Sequence, residues 1–247
     1  MKTISSVNNS TIKAITGLIQ KASLRKKSDV FVVEGKRELQ LAYKGGFTID
    51  TVFCCPTLFE STTVETWSAQ NLGTKNIVLV TEDVYKKISY RNKTEGIISL
   101  VKKKAFDLDS IVFKNANPLI LVIENIEKPG NIGAMLRTAD ASNIDCLLVA
   151  EPKTDIYNPN VIRSSVGGFF TVPIGVASNE DIIEFLKQNQ IATYAASLQK
   201  SLSYEKIDFS APTAVIVGTE ATGLSEFWTR ESKSSIKIPM LGTLDSM

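Results

Sequence analysis

Asn125-Ile126-Glu127-Lys128-Pro129-Gly130-Asn131-Ile132-Gly133-Ala134-Met135-Leu136-Arg137-Thr138-Ala139-Asp140 follows the unbroken apolar run Leu119 to Ile123. A run of that kind, apolar on both faces, reads as a strand buried in a parallel sheet. The chain then turns through Pro129-Gly130 and opens a helix whose apolar positions, Ile132, Met135, Leu136 and Ala139, recur at helical spacing. Open α/β sheets place ligands just past the carboxyl ends of their strands. The polar, arginine-bearing helix start with Asn131, Gly133 and Arg137 is therefore the first candidate site. By itself the pattern is equally that of an ordinary strand-to-helix loop with a surface arginine.

Downstream of this unit the alternation is regular. Strands are expected at 119–124, 145–149, 169–174, 191–196, 213–218 and 234–238, and helices near 131–143, 158–166, 180–189 and 222–230. Such alternation predicts an α/β fold: a mostly parallel sheet with helices on both faces. Upstream, Ser10 reads as the cap of a helix carrying Ile12, Ile15, Leu18 and Ile19 and ending in Arg25-Lys26-Lys27. Strands at Phe31-Val33, Thr51-Cys55, Ile77-Val80 and Gly96-Val101, with helices at 36–43 and 82–88, make a smaller α/β domain. The boundaries are residues 1–104 for the first domain, 105–118 for a linker and 119–247 for the second domain.

Composition narrows the chemistry. The 247 residues are 43% hydrophobic and 22% charged, as in a soluble globular protein. No apolar run approaches membrane-spanning length and no secretion signal opens the sequence, so a cytoplasmic location is expected. Cys54, Cys55 and Cys146 form neither a disulfide framework nor a metal-ligand spacing, so no metal is expected. The chain has no histidine, which excludes Ser-His-Asp and Cys-His nucleophiles. A reaction that needs orientation more than proton transfer suits such a chain. Residues 1–108 carry 17 basic and 10 acidic side chains, a net +7, and residues 109–247 carry 11 and 16, a net −5. The basic half is the one expected to meet a polyanion, with Arg25, Lys26 and Lys27 as candidate contacts.

Three segments of the second half carry the remaining signal. Beside the stretch quoted first stand Asn158-Pro159-Asn160-Val161-Ile162-Arg163-Ser164-Ser165-Val166-Gly167-Gly168 and Gly218-Thr219-Glu220-Ala221-Thr222-Gly223-Leu224-Ser225 with Ile238-Pro239-Met240-Leu241-Gly242. Together they resemble the three motifs of the SpoU (TrmH-type) RNA 2′-O-ribose methyltransferases, a branch of the SPOUT superfamily. The first motif matches at Asn125, Pro129, Asn131, Gly133, Arg137, Thr138 and Ala139. The second matches at Arg163, Ser165, Gly167, Phe170 and Pro173, and the third at Gly218, Glu220, Gly223, Leu224, Ser225, Ile238, Pro239, Met240 and Gly242. Phe31-Val32-Val33-Glu34-Gly35 resembles the small RNA-binding α/β domain that often precedes this one.

The resemblance implies a homodimer with a trefoil-knotted methyltransferase domain, S-adenosylmethionine as cofactor and structured RNA, ribosomal RNA first and transfer RNA second, as substrate. It implies Arg137 as the main catalytic residue, with Asn131 and Glu220 holding its geometry. It places the cofactor around Ala196, Gly218, Ile238, Met240 and Met247, and RNA beside Arg163 and Ser165. A guanidinium keeps its proton in proteins and presents a fork of donors. Orientation of the ribose hydroxyl or its phosphate is thus the favoured role for Arg137, with base action left open. The family's third motif continues as D-S-L-N-V-S into a final helix, and the sequence reaches Asp245-Ser246-Met247, so that helix is expected to be missing. Two alternatives follow. One is a non-catalytic RNA-binding protein on the same scaffold. The other is a nicotinamide-dependent enzyme, weakened by the missing GxGxxG fingerprint.

Overall fold

A computed structural model describes residues 1–59, 63–90, 95–198 and 201–240. In chain order the elements begin β1 (Lys2–Ile4), α1 (Ser10–Gln20), α2 (Ala22–Lys27), β2 (Val30–Glu34), α3 (Lys36–Lys44), β3 (Ile49–Cys54), α4 (Val64–Leu72), β4 (Ile77–Val80), α5 (Glu82–Ile88) and β5 (Ile97–Lys102). They continue with β6 (Leu119–Glu124), α6 (Pro129–Ala141), β7 (Cys146–Ala150), α7 (Pro159–Ser164), α8 (Gly168–Thr171), β8 (Ile174–Ala177), α9 (Asn179–Gln188), β9 (Ala192–Ala196), β10 (Leu202–Ser203), β11 (Thr213–Val217), α10 (Glu226–Glu231) and β12 (Ser234–Lys237). These pack as two compact units. The first joins Met1–Ala105 to Asp155–Thr171, and the second joins Phe106–Thr154 to the chain from Val172 on.

The first unit is built on a five-stranded sheet of order β1-β4-β3-β5-β2. β1, β4 and β3 run parallel, and β5 runs antiparallel to both β3 and β2. α1 buries Ile12, Ile15 and Leu18 against a core that includes Phe53, Tyr85 and Ile98. Its cap is Asn9, whose side chain accepts from the Thr11 N–H at 2.9 Å, one residue before the expected Ser10. Lys21, in extended conformation (φ −119°), ends α1, so the basic run lies on its own short helix. Residues 155–171, the second motif, belong to this unit. The strand expected at 169–174 begins only at Ile174, because the two phenylalanines before it enter an aromatic cluster. Phe169 packs on Phe31, Phe47 and Tyr157 with ring centroids 5.7–6.1 Å apart, and Phe170 on Phe47 at 5.4 Å. Ring packing of this kind outweighs a few ladder bonds.

The second unit holds a seven-stranded sheet of order β10-β12-β9-β11-β6-β7-β8, parallel at every pairing. On one face Ile120, Val122, Cys146, Leu148, Ala214 and Ile216 pack with Ile182 and Leu186 of α9 and Trp228 of α10. The intervening strand residues Leu147 and Val149 are equally buried, and α6, which packs on β7, buries Ile132, Leu136 and Ala139. Helices therefore cover both faces. Part of the expected linker belongs to this fold: Leu108, Ile111 and Phe113 pack against the core, and Phe106 O accepts from Val176 N at 2.8 Å. From β6 the chain winds outward through β7 and β8, then crosses to β9, and β11 fills the gap between β9 and β6. The strand order reverses at the β6–β11 pair, so the loops leaving these two neighbours flank the position where such sheets bind ligands.

Among the described residues no helix is long and apolar enough to cross a membrane.

Candidate active site

Both loops at the reversal point are tightly built. After β6, Asn125 adopts a left-handed conformation (φ 56°) while its N–H bonds Ala150 O at 3.0 Å. Pro129 then starts α6, where its missing N–H costs nothing. After β11, Thr219 and Gly223 exchange two backbone hydrogen bonds of 3.1 and 3.0 Å. This closes a small ring that carries Glu220 at its tip. Gly218 allows the ring to close: a Cβ there would lie 2.2 Å from Gly223 O, so only glycine fits.

The two loops are clasped together. Glu220 Oε1 accepts from Asn131 Nδ2 at 2.6 Å, and Oε2 pairs with the Lys128 ammonium. The Lys128 bond, then the Asn131 amide, holds the Glu220 carboxyl below the usual carboxylate range. Asn131 and Glu220, predicted to cooperate, are thus in direct contact, and Lys128 is a third member that motif reading passed over. Arg137 stands apart. It is exposed on α6 and makes no hydrogen bond or ion pair among the described residues. Six residues beyond Asn131, it lies about 9 Å further along the helix axis and on another face.

A second group, of which the sequence reading singled out only Ser225, lies beneath the loops. Glu124, 1% exposed at the end of β6, accepts from the Ser225 N–H at 2.8 Å, the Ser225 hydroxyl at 2.6 Å and Asn179 Nδ2 at 2.9 Å. Asn179 Oδ1 in turn accepts from Trp228 Nε1 at 2.8 Å. Buried charge needs such a full set of donors. The network pins the first residues of α9 and α10 to β6, and with them the far end of the Gly218–Ser225 loop. Partners 55 and 101 residues away leave no local spacing signal.

The positions expected to hold the cofactor gather at the carboxyl edge. Ala196 ends β9, Gly218 follows β11 and Ile238 follows β12, and these three strands are adjacent in the sheet. Ile238 and Met240 are 44% and 37% exposed, so apolar surface is available there beside free strand ends. An adenosine, with a flat apolar base and polar edges, suits apolar side chains next to backbone donors and acceptors. Met247 lies outside the described residues.

The residues expected to face RNA divide sharply. Lys26 and Lys27 are exposed. Arg25 is 3% exposed, bonded to Asp155 at 2.5 Å and to Leu18 O and Ile19 O at 2.8 and 3.1 Å, so its guanidinium fastens the first unit internally. Ser165 is also buried, with its hydroxyl on Ile162 O at 2.7 Å. Arg163 is exposed, and its guanidinium lies 5.6 Å from the Tyr90 ring centroid.

Comparison with known proteins agrees with this architecture. Residues 118–247 match the SpoU rRNA Methylase family, and residues 9–99 match the MRM3-like substrate binding domain. A 23S rRNA (uridine(2479)-2′-O)-methyltransferase of Streptomyces viridochromogenes is 26% identical over 97% of this chain and 85% of its own length. The 23S rRNA (guanosine(2553)-2′-O)-methyltransferase RlmP of Bacillus subtilis is 24% identical over 100% and 94%. Among solved structures, an RNA 2′-O ribose methyltransferase is 31% identical with a TM-score of 0.82, covering 99% of this chain and 92% of that one. An AdoMet-bound rRNA methyltransferase from Sinorhizobium meliloti is 26% identical with a TM-score of 0.88, covering 100% and 92%.

Proposed function

Because the chain belongs to the SpoU rRNA methylase family, we propose that it is an S-adenosylmethionine-dependent 2′-O-ribose methyltransferase acting on ribosomal RNA. The observation that carries this reading is the clasp of Asn131 and Lys128 on Glu220. It joins the loops of the first and third motifs at the point where the parallel sheet reverses its strand order.

When bound, S-adenosylmethionine supplies a methyl group on a positively charged sulfur, and transfer to a ribose oxygen is an in-line displacement. Such a reaction gains most from holding its two partners in line. Ala196, Gly218, Ile238 and Met240 would hold the donor at the carboxyl edge, Gly218 by letting the backbone close and Ile238 and Met240 by offering exposed apolar side chains to the adenosine. Met247 is assigned to the same pocket from the family motif. Asn131, Lys128 and Glu220 keep the two loops at a fixed separation. Arg137, free of protein partners among the described residues, offers its donor fork to the ribose hydroxyl or the adjoining phosphate. The first unit presents Lys26, Lys27 and Arg163 to RNA. The chain works as a cytoplasmic homodimer with a knotted carboxyl-terminal domain, assignments supported by the family resemblance.

The reading is tested by calorimetric titration of the protein with S-adenosylmethionine, followed by transfer of tritium from labelled donor into total RNA of cells lacking the protein. Saturable uptake with label entering ribosomal RNA is expected. RNA binding without donor uptake would restore the non-catalytic alternative.

A further inference from the structure

Tyr90 lies just past α5 in the first unit and is 45% exposed. Its N–H donates to Glu34 Oε2 at 2.8 Å, which anchors this residue to the end of β2. On the same unit, Arg163 of α7 lays its guanidinium over the ring at 5.6 Å. Next to the pair is a small recess whose lining includes the buried side chains Val32, Ile88 and Ile162 together with Glu34. An exposed aromatic–guanidinium pair contributes little to folding. Left on the surface of a basic domain, it is a flat, polarisable platform of the kind on which unstacked nucleobases settle. The Glu34 carboxylate disfavours a phosphate at this spot, whereas a neutral base is unaffected by it. Lys87, three residues before Tyr90 in the last turn of α5, is exposed.

We propose that the Tyr90–Arg163 pair is a stacking site for one unpaired base of the RNA substrate. The inference rests on the RNA-directed reading above and adds to it a specific point of capture. Its test uses the full chain and a fluorescein-labelled oligouridylate, whose bases are unstacked, with affinity read by anisotropy across a salt series for wild type, Tyr90→Ala and Tyr90→Phe. Far-ultraviolet circular dichroism and the unfolding midpoint serve as the control for folding, and uptake of labelled S-adenosylmethionine reports on the donor site.

Loss of the ring should weaken binding at least about fivefold, the lower end for one base–aromatic stack. Tyr90→Phe should stay within about twofold of wild type, and donor uptake should not change. The slope of log affinity against log salt should also be the same in all three proteins, since no phosphate contact is lost. Equal affinity of Tyr90→Ala and wild type would overturn the site, even in a protein that methylates ribosomal RNA. Equal weakening by alanine and phenylalanine would overturn it too, by assigning the effect to the hydroxyl. Ring-dependent binding in a protein that transfers no methyl group would uphold the site and overturn the enzyme reading alone.

Discussion

Arg25 and Arg137 are the same residue in opposite circumstances, and the contrast runs through the two units that hold them. Arg25 is buried in the first unit, paired with Asp155 and capping two carbonyls at the end of α1. The basic residues near it behave alike. Lys103 reaches Arg25 O and lies 5.0 Å from the Tyr157 ring, while Lys104 bonds Gly45 O at 2.7 Å. Burial pushes the pKa of both lysines down. In the second unit Lys128, at the sheet's carboxyl edge, and Arg137, further along α6, are exposed. A net +7 over the first half therefore overstates what that half offers to a polyanion. Part of the charge is structural, and the charge we propose for catalysis, Arg137, sits in the half whose net sign is negative.

The contrast can be broken at either arginine. Arg25→Ala leaves Asp155 partly buried without its partner, and removing one member of such a pair costs about 3–5 kcal/mol. Chemical denaturation followed by circular dichroism should record a loss of that size while S-adenosylmethionine uptake stays normal. Arg137→Ala should do the reverse. Thermal stability and donor affinity should match wild type, since the side chain is exposed and has no partner among the described residues, and methyl transfer should fall about 10²-fold, a typical loss for a positioned catalytic group. Steady-state transfer assays beside a melting curve separate the two outcomes.

Glu124→Gln sharpens the comparison from inside the second unit. The substituted amide must set an NH2 against the Ser225 or Asn179 donors, and a buried donor left unpaired costs about 1–3 kcal/mol. Because Ser225 ends the loop that carries Glu220, donor affinity should drop together with the melting temperature, unlike in Arg25→Ala. The smallest effect belongs to the exposed lysines. Replacing Lys26 and Lys27 with glutamine should change stability by under about 0.5 kcal/mol. It should reduce the salt slope of RNA binding by about 2 if both meet phosphate. An unchanged slope moves the RNA surface elsewhere on the first unit.

What could be read from the residues alone follows from the range of the interactions involved. The parallel sheet was legible because runs such as Leu119–Ile123 and Cys146–Val149 are apolar on both faces, a local property. The helix of Asn131 and Arg137 was legible from its spacing and from Pro129. The Asn131–Glu220 contact could be anticipated only through family motifs, since the two residues are 89 apart. Burial of Arg25 was hidden, because its partner Asp155 is 130 residues away. The late start of the strand expected at 169–174 has the same origin. Phe169-Phe170 has strand propensity, and the aromatic cluster with Phe31 and Phe47, more than 100 residues earlier, overrides it. α4 escaped notice because its stretch, VETWSAQNL, is mostly polar around Trp67.

The most direct test of the account concerns where the methyl group lands. Alkali cleaves RNA through attack of the ribose 2′ oxygen on the neighbouring phosphate, so a 2′-O-methylated nucleotide leaves an uncut dinucleotide, whereas a methylated base does not. Ribosomal RNA labelled by this protein with tritiated S-adenosylmethionine should, after complete alkaline hydrolysis, carry its label in an alkali-resistant dinucleotide. Label recovered only in mononucleotides would place the methyl group on a base and contradict the claim that Arg137 and the clasped loops address a ribose hydroxyl.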